Sequence, residues 1–244
     1  MKRAIVAVSF GTTHPDAEAR CIRPVEQALR AAFPDWEICR AWTSRIIARR
    51  LAARGEAVEN ETEALERLRS DGYGRIAFVP THMIRGQEYE RVTAVAAGLP
   101  VSAPLLDTGE DLKWMAALLD DLAADEGRTL LAMGHGTDHA ADATYARLRG
   151  ELTGRVKLAC VEGRHALEGI MDALEAVPGK ALTLMPLMLV AGDHAKNDLA
   201  GDEPDSWKRQ LEARGFDVRV RLEGLGALRD VQQRFVEKAR EIMK

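Results

Sequence analysis

Three side chains that could bind a metal ion follow three consecutive predicted strands in the second half of the sequence. His135 follows RTLLAMG, Glu162 follows VKLACV, and His194 comes shortly after ALTLMPLML. The carboxyl ends of parallel strands form one edge of an α/β sheet, which is where ligands bind. Two imidazoles and a carboxylate suit a divalent first-row metal. Three protein ligands also leave coordination positions open for exchange or for a substrate.

The spacing of these residues alone is weak evidence for a metal site. About 27 and 32 residues separate successive members, far from a short motif such as HExxH. His135 could be a hydrogen-bonded structural histidine and Glu162 a solvated loop carboxylate. His194 could simply begin a helix with Asp193 as its N-cap. The GHGT stretch lacks the further glycines or GK[ST] of a phosphate-binding loop, which argues against a nucleotide site.

A partial internal repeat places the histidine motif in context. With an offset of 125 residues, IVAVSFGTTHPDAEA near the N-terminus aligns with LLAMGHGTDHAADA, and Phe10 falls on His135. His14 and His139 occupy equivalent places, which favours a shared packing or helix-start role for them. With an offset of 106 residues, FVPTHMIRGQEY aligns with LMPLMLVAGDHA, and Glu88 falls on His194. The sequence therefore predicts two similar halves, only one of which carries imidazoles at the ligand positions.

Alternating apolar runs and helical patterns predict an α/β fold with parallel sheets flanked by helices. We expect two lobes, residues 1–126 and 127–244, with a binding cleft between them. On that arrangement Phe10 should lie across the cleft from His135, and Glu88 should approach it from the first lobe. The predicted strands are 3–9, 36–42, 75–80, 101–105, 128–134, 156–161, 181–189 and 217–222. The predicted helices are 16–32, 43–54, 59–71, 87–97, 110–125, 138–150, 165–177, 195–214 and 227–243.

Composition excludes several classes of protein. The 244 residues include 34 basic and 38 acidic side chains, a net charge of −4 without the clustered basic charge of a nucleic-acid surface. No apolar run approaches the ~20 residues of a membrane span. The three cysteines, an odd number without a CxxC motif, indicate reduced, buried thiols and a cytoplasmic protein. The oligomeric state stays open, a homo-oligomer included.

Several segments resemble one enzyme family over nearly the whole chain. MGHGTDHAADATYARL, CVEG, THMIRGQEYERV and the long run LMPLMLVAGDHAKNDLAGDEPDSWK are similar to the anaerobic-type cobaltochelatases that act on sirohydrochlorin. These belong to the class II chelatases, which also include the protoporphyrin ferrochelatases. The family fold is two α/β lobes with a tetrapyrrole cleft between them, in agreement with the repeat.

The resemblance implies roles for individual residues. His135, Glu162 and His194 fall on the family's metal ligands, and His135 also falls on its catalytic base. Glu88 resembles a cleft carboxylate that assists the reaction. The resemblance thus implies ATP-independent insertion of Co²⁺, as substrate metal, into sirohydrochlorin for cobalamin biosynthesis, with no organic cofactor.

Substrate contacts and two alternative functions complete these expectations. Phe10 is predicted to offer an apolar wall to the macrocycle, and Arg85 to bind its carboxylates, as could Arg45, Arg164 and Lys196. His/Glu ligation accepts Fe²⁺ as well as Co²⁺, so a sirohydrochlorin ferrochelatase for sirohaem synthesis is one alternative. A non-catalytic tetrapyrrole or metal carrier is the other.

Overall fold

The computed structural model describes residues 1–243, in which seven strands alternate with helices. The central strands are short runs of apolar residues between polar turns, as expected for parallel strands that are covered on both faces, whereas the edge strand DVRV has no buried residue. The strands are β1 (Lys2–Ser9), β2 (Glu37–Trp42), β3 (Tyr73–Pro80), β4 (Thr129–Gly134), β5 (Val156–Cys160), β6 (Ala181–Pro186) and β7 (Asp217–Val220).

The helices vary from single turns to 18 residues. The α-helices are α1 (Pro15–Ala17), α2 (Arg23–Ala32), α3 (Arg45–Ala52), α4 (Glu61–Ser70), α5 (Gln87–Ala96), α6 (Gly109–Glu126), α7 (Ala143–Glu151), α8 (Met171–Glu175), α9 (Trp207–Ala213) and α10 (Arg229–Ile242). Two π-helical turns, Glu18–Ile22 and Ala195–Leu199, interrupt the regular pattern, and short 3₁₀ turns lie at Ala140–Asp142, Leu167–Ile170, Pro178–Lys180 and Leu225–Ala227. Among the described residues, no helix is both long and apolar enough to cross a membrane.

The chain divides into two compact units, each built on one parallel sheet. The first unit, Met1–Leu105 together with the chain from Gly226 onward, has strand order β2-β1-β3. The second unit, Leu106–Leu225, has strand order β5-β4-β6-β7. The first three strands of both units are therefore wound in the same order, with the first strand in the middle. This result confirms the predicted α/β class and the predicted parallel sheets.

The compact units differ from the predicted lobes at two helices. Helix α6 was expected to end the first lobe, but it packs on β4, β5 and α7 of the second unit. Helix α10 was expected to belong to the second lobe, but it packs on α2 and β3 of the first unit. The C-terminal helix thus returns to the unit in which the chain began. A single boundary in the sequence therefore cannot separate the two units.

The core of each unit consists of the apolar residues of the strands and one face of each helix. In the first unit, Val6, Val8 and Phe78 are fully buried against Leu68 and Val92 of the covering helices. In the second unit, Leu131, Met133 and Leu184 form the corresponding layer. Burial of each such side chain contributes about 1.5–3 kcal/mol to folding, so these strands are fixed firmly and their carboxyl ends are well-defined platforms.

Two predicted elements are wrong. The expected strand over 101–105 is reduced to a single bridge between Val101 and Phe78, because Pro100 precedes it and Pro104 lies within it, and proline lacks the amide hydrogen that a strand needs. The expected helix over 195–214 is broken into the π-turn Ala195–Leu199 and helix α9, with Pro204 in the intervening loop.

His82, at the end of β3, should make the stability of the first unit depend on pH. Burial lowers the pKa of His82 to about 4, assisted by the charge of Arg91, and Nδ1 of its ring is buried with no hydrogen-bond partner among the described residues. Between the ordinary value of 6.5 and about 4, the unfolded chain binds a proton that the folded chain does not. The free energy of unfolding should therefore fall as pH drops through this window, by up to about 3 kcal/mol.

The variant His82→Met tests this prediction, since Met188 is the half-buried residue at the equivalent place in the second unit. Denaturant unfolding at a series of pH values should show a flatter curve below pH 6.5 for the variant than for the wild type. Parallel curves would show that His82 does not titrate as its burial implies.

Candidate metal centre

The second unit brings the three predicted ligands to one edge of its sheet. His135 directly follows β4, the strand that lies between β5 and β6. Glu162 comes two residues after the end of β5, and His194 lies in the segment that follows β6. Because the strands are parallel, all three residues leave the sheet at its carboxyl edge.

The three side chains are close enough to share one ion. The donor atoms of His135, Glu162 and His194 all lie within 4.8 Å of one another. The two imidazole rings meet edge to face, with centroids 4.8 Å apart and an interplanar angle of 88°, and His135 Nδ1 lies 3.8 Å from Glu162 Oε2. The side chains are 38–55% exposed, so small rotations could bring the donors to metal-binding distance.

The loops that carry His135 and Glu162 are locked together through their backbones. Glu162 N donates to His135 O at 2.8 Å, and Val161 N donates to Gly134 O at 3.0 Å, so that the β4–β5 ladder continues past both strands. Gly136 adopts a φ of +78°, and a Cβ atom at this position would lie 1.8 Å from the Glu162 carbonyl oxygen. The site therefore requires glycine at 136 for both conformation and space.

The buried carboxylate of Asp142 connects the same two loops. Its Oδ1 accepts a hydrogen bond from Thr137 N at 3.2 Å, in the loop of His135. Its Oδ2 accepts from Arg164 N at 3.5 Å and lies 3.5 Å from His165 Nε2, both in the loop of Glu162. Sequence analysis missed this role, because a lone aspartate near a helix start gives no signal of contacts made to a loop about 20 residues later.

The orientation of the His135 ring follows from its hydrogen bond. Nδ1 lies 2.8 Å from the carbonyl oxygen of Gly136, which can only accept a hydrogen bond. The neutral ring therefore carries its proton on Nδ1 and its lone pair on Nε2, which is then available for an ion or for a proton. At the end of β5, burial raises the pKa of the Cys160 thiol to about 12. This thiol therefore stays protonated and packs in the core.

The backbone contacts of the first unit identify the counterparts of all three ligands. Ser44 N donates to Phe10 O at 3.2 Å, just as Glu162 N donates to His135 O. Thr81 N donates to Val8 O and Leu187 N donates to Met133 O, each at 2.8 Å, which supports the offset of 106 residues that pairs Glu88 with His194. The positions equivalent to the three predicted ligands are thus held by Phe10, Ser44 and Glu88 in the first unit. Sequence alignment missed Ser44 because the connection between the first two strands differs in length.

The equivalent histidines His14 and His139 share one backbone contact. In each, the backbone N–H donates to the hydroxyl of the threonine two residues earlier, at 3.2 Å for His14 and 3.1 Å for His139. His139 also accepts the amide of Ala141 on Nδ1 at 3.1 Å, as an N-cap. For His139 these contacts confirm the predicted role at a helix start.

The substrate-binding residues predicted in the first unit lie at or near the carboxyl edge of its own sheet. Phe10 follows β1 and is 49% exposed, which is unusual for a large apolar side chain. Glu88 lies in the first turn of α5 and pairs with Arg91 at 3.2 Å. Arg85 lies over the Tyr89 ring, 5.1 Å from its centroid. Arg45 is paired with the fully buried Glu61 at 2.6 Å, which gives this arginine a structural role.

Comparison with known proteins assigns the chain to a family. A family model described as "Cobalt chelatase (CbiK)" matches residues 3–244. The chain belongs to this cobalt chelatase family. This result confirms the resemblance seen in the sequence.

Two relatives support the cobalt chelatase assignment along almost the whole chain. The sirohydrochlorin cobaltochelatase of Salmonella typhimurium is 35% identical over 249 residues, covering 97% of this chain and 94% of the relative. The sirohydrochlorin cobaltochelatase CbiKC of Nitratidesulfovibrio vulgaris is 33% identical over 230 residues, covering 88% and 81%. Among solved structures, a periplasmic ribose ABC transporter from Conexibacter woesei is similar over 90% of this chain and 72% of its own chain, at 15% sequence identity. The TM-score of 0.41 is too low to support a conclusion about fold or function.

The variant Gly136→Ala should damage both the fold and the metal centre of this cobalt chelatase. The added Cβ would collide with Glu162 O and would force alanine into a left-handed conformation, a strain of about 1–3 kcal/mol. We expect a lower melting temperature and weaker Co²⁺ binding, measured by thermal unfolding and by metal titration. Gly150→Ala is the matched control, because nothing lies within 4 Å of a Cβ atom at that position. Equal behaviour of the two variants would contradict the interlocked loops.

Proposed function

We propose that this chain inserts Co²⁺ into sirohydrochlorin without ATP, as a step in cobalamin biosynthesis. The observation that carries the proposal is the convergence of His135, Glu162 and His194 at one sheet edge, with donor atoms within 4.8 Å of one another, in a member of the cobalt chelatase family. Both relatives are sirohydrochlorin cobaltochelatases, which supports sirohydrochlorin as the tetrapyrrole substrate.

The three side chains would hold the incoming ion weakly and openly. Two imidazoles and one carboxylate suit Co²⁺ and leave coordination positions free for water or for pyrrole nitrogens. Since a chelatase must release its metal into the macrocycle, a closed four-ligand cage would oppose the reaction. The partial exposure of all three side chains agrees with a site that exchanges its ion.

Insertion also requires removal of the inner N–H protons of the macrocycle. His135 is suited to accept one, because its Nδ1–H is bound to Gly136 O and its Nε2 is therefore the free basic atom. Imidazole exchanges protons readily near neutral pH. Since Nε2 has a single lone pair, His135 would act as ligand and as general base in separate steps, accepting a pyrrole proton on Nε2 only when the ion no longer occupies it.

The first unit would contribute contacts to the macrocycle. The exposed ring of Phe10 offers an apolar surface to a flat tetrapyrrole. The guanidinium of Arg85 would bind peripheral carboxylates of the substrate. Glu88 would accept or relay a proton from the pyrroles, and its place as the counterpart of His194 supports this role.

Insertion of Fe²⁺ is the main alternative, because His/Glu ligation accepts either ion. Membership of the cobalt chelatase family and similarity to two cobaltochelatases favour cobalt. An anaerobic assay with sirohydrochlorin and either Co²⁺ or Fe²⁺, followed by absorbance, tests the proposal. We expect many turnovers per protein molecule and a higher rate with Co²⁺. A higher rate with Fe²⁺ would indicate a ferrochelatase, and product limited to one equivalent would indicate a carrier.

The variant His135→Ala should abolish insertion and leave the fold intact. The loop conformation is set mainly by Gly136 and by the backbone bond from Glu162 N, and the imidazole adds to the loop backbone only its partly exposed hydrogen bond to Gly136 O. Turnover should therefore be lost at an unchanged melting temperature. Turnover near the wild-type rate would remove His135 from the mechanism.

The variant Glu88→Gln separates a catalytic role from a structural one. If Glu88 accepts a proton, kcat should fall by roughly 10²–10⁴-fold with little change in Co²⁺ affinity, because the amide cannot act as a base. If Glu88 only stabilises the start of α5, a small loss of melting temperature, worth about 0.3–1 kcal/mol, should occur at unchanged kcat.

The variant Arg91→Gln is the matched control for Glu88→Gln. It breaks the same ion pair but keeps the carboxylate. A fall in kcat that is equally large in Arg91→Gln would assign the effect to the ion pair.

A further inference from the structure

An acidic residue lies directly behind one of the candidate ligands. His194 Nδ1 is 2.8 Å from Asp198 Oδ2, one turn further along the chain. Asp198 is outside the group whose donor atoms lie within 4.8 Å of one another. The carboxylate therefore contacts the Nδ1 side of the His194 ring and leaves Nε2 on the other side.

The turn that carries this pair is anchored in the core of the second unit. Ala195–Leu199 forms a π-helical turn, closed by Ala200 N donating to Ala195 O at 3.2 Å. Ala195 and Leu199 are both fully buried. Single π-turns occur often at functional sites. The spacing between His194 and Asp198 is thus fixed by the buried residue that directly follows each of them.

The internal repeat shows that the acid accompanies the imidazole. The offset of 106 residues that pairs His194 with Glu88 also pairs Asp198 with Val92. Val92 is fully buried in the core of the first unit. The first unit, which has Glu88 in place of the imidazole, thus has a buried valine in place of the aspartate one turn later.

We propose that Asp198 is a positioning residue that prepares His194 to bind the metal through Nε2. A carboxylate accepts hydrogen bonds, so it holds the proton of the neutral ring on Nδ1 and leaves the lone pair on Nε2. Carboxylates behind histidine ligands have this effect in metal sites generally, and their loss typically costs 10–100-fold in metal affinity. The inference rests on the proposed metal-binding role of His194 and deepens it, since it predicts which nitrogen binds.

Two variants and one control test Asp198. Asp198→Ala removes the acceptor, whereas Asp198→Asn keeps an oxygen that can accept from Nδ1. Asp205→Ala removes an exposed carboxylate from the loop that follows the turn and controls for the lost charge. The first measurement is titration of each protein with Co²⁺ alone. The second is the ¹⁵N spectrum of the metal-free protein labelled at histidine, in which the His194 signals are assigned by their absence in His194→Gln.

The expected pattern differs between the variants. Asp198→Ala should bind Co²⁺ about 10–100-fold more weakly, and its His194 ring should change from the Nδ1–H form to a mixture. Asp198→Asn should recover most of the affinity and most of the Nδ1–H form, and Asp205→Ala should match the wild type. In the insertion assay, Asp198→Ala should raise the KM for Co²⁺ much more than it lowers kcat.

Three results would overturn the inference. One is unchanged Co²⁺ affinity in Asp198→Ala. Another is an unchanged ring form in that variant. The third is an Asn variant as weak as the Ala variant with an altered Co²⁺ spectrum, which would make Asp198 a direct ligand. The proposed function fails separately, through absence of turnover in the wild type.

Discussion

The candidate metal centre depends on the close contact between the backbone of Gly136 and the carbonyl group of Glu162. A Cβ atom at 136 would lie 1.8 Å from that oxygen, so only glycine allows the two loops to approach. The hydrogen bond from Glu162 N to His135 O, 2.8 Å long, forms in the same contact. Both loops begin at neighbouring strands whose apolar residues are fully buried, so the contact is positioned by the core and in turn positions the two ligands.

Polar groups beneath this contact restrict it further. Asp142 is buried and accepts hydrogen bonds from a backbone N–H of each loop. These two bonds offset the loss of hydration of its carboxylate. The Gly136 carbonyl orients the His135 ring, and Asp198 faces the ring of His194. Support of this kind keeps the three exposed side chains close together.

The same scaffold carries different chemistry in the two units. The first unit repeats the strand order and the backbone hydrogen bonds of the second, yet it places Phe10, Ser44 and Glu88 at the ligand positions. Ser44 caps α3, where its hydroxyl accepts from Ile47 N. The backbone geometry is thus shared between the units, and imidazoles occupy the predicted ligand positions in the second unit only.

Sequence alone predicted most of the elements and the convergence of His135, Glu162 and His194 at one sheet edge, but not the residues that support these three side chains. Strands such as β1 and β4 are short apolar runs, and His135 and His194 follow such runs closely, so periodicity and position located them. Asp142 and Asp198 were missed, because their roles depend on contacts with a distant loop and with a π-turn that helical periodicity does not reveal. The break before α9 and the return of α10 to the first unit were missed for the same reason, since tertiary packing decides both.

Anomalous diffraction at the cobalt absorption edge, from crystals of this protein with Co²⁺ and without tetrapyrrole, tests the central claim most directly. The account predicts one strong cobalt peak within about 2.0–2.2 Å of a nitrogen of His135, of Nε2 of His194 and of a carboxylate oxygen of Glu162, by analogy with other first-row sites. A cobalt peak that none of these three side chains contacts, in crystals of catalytically active protein, would contradict it.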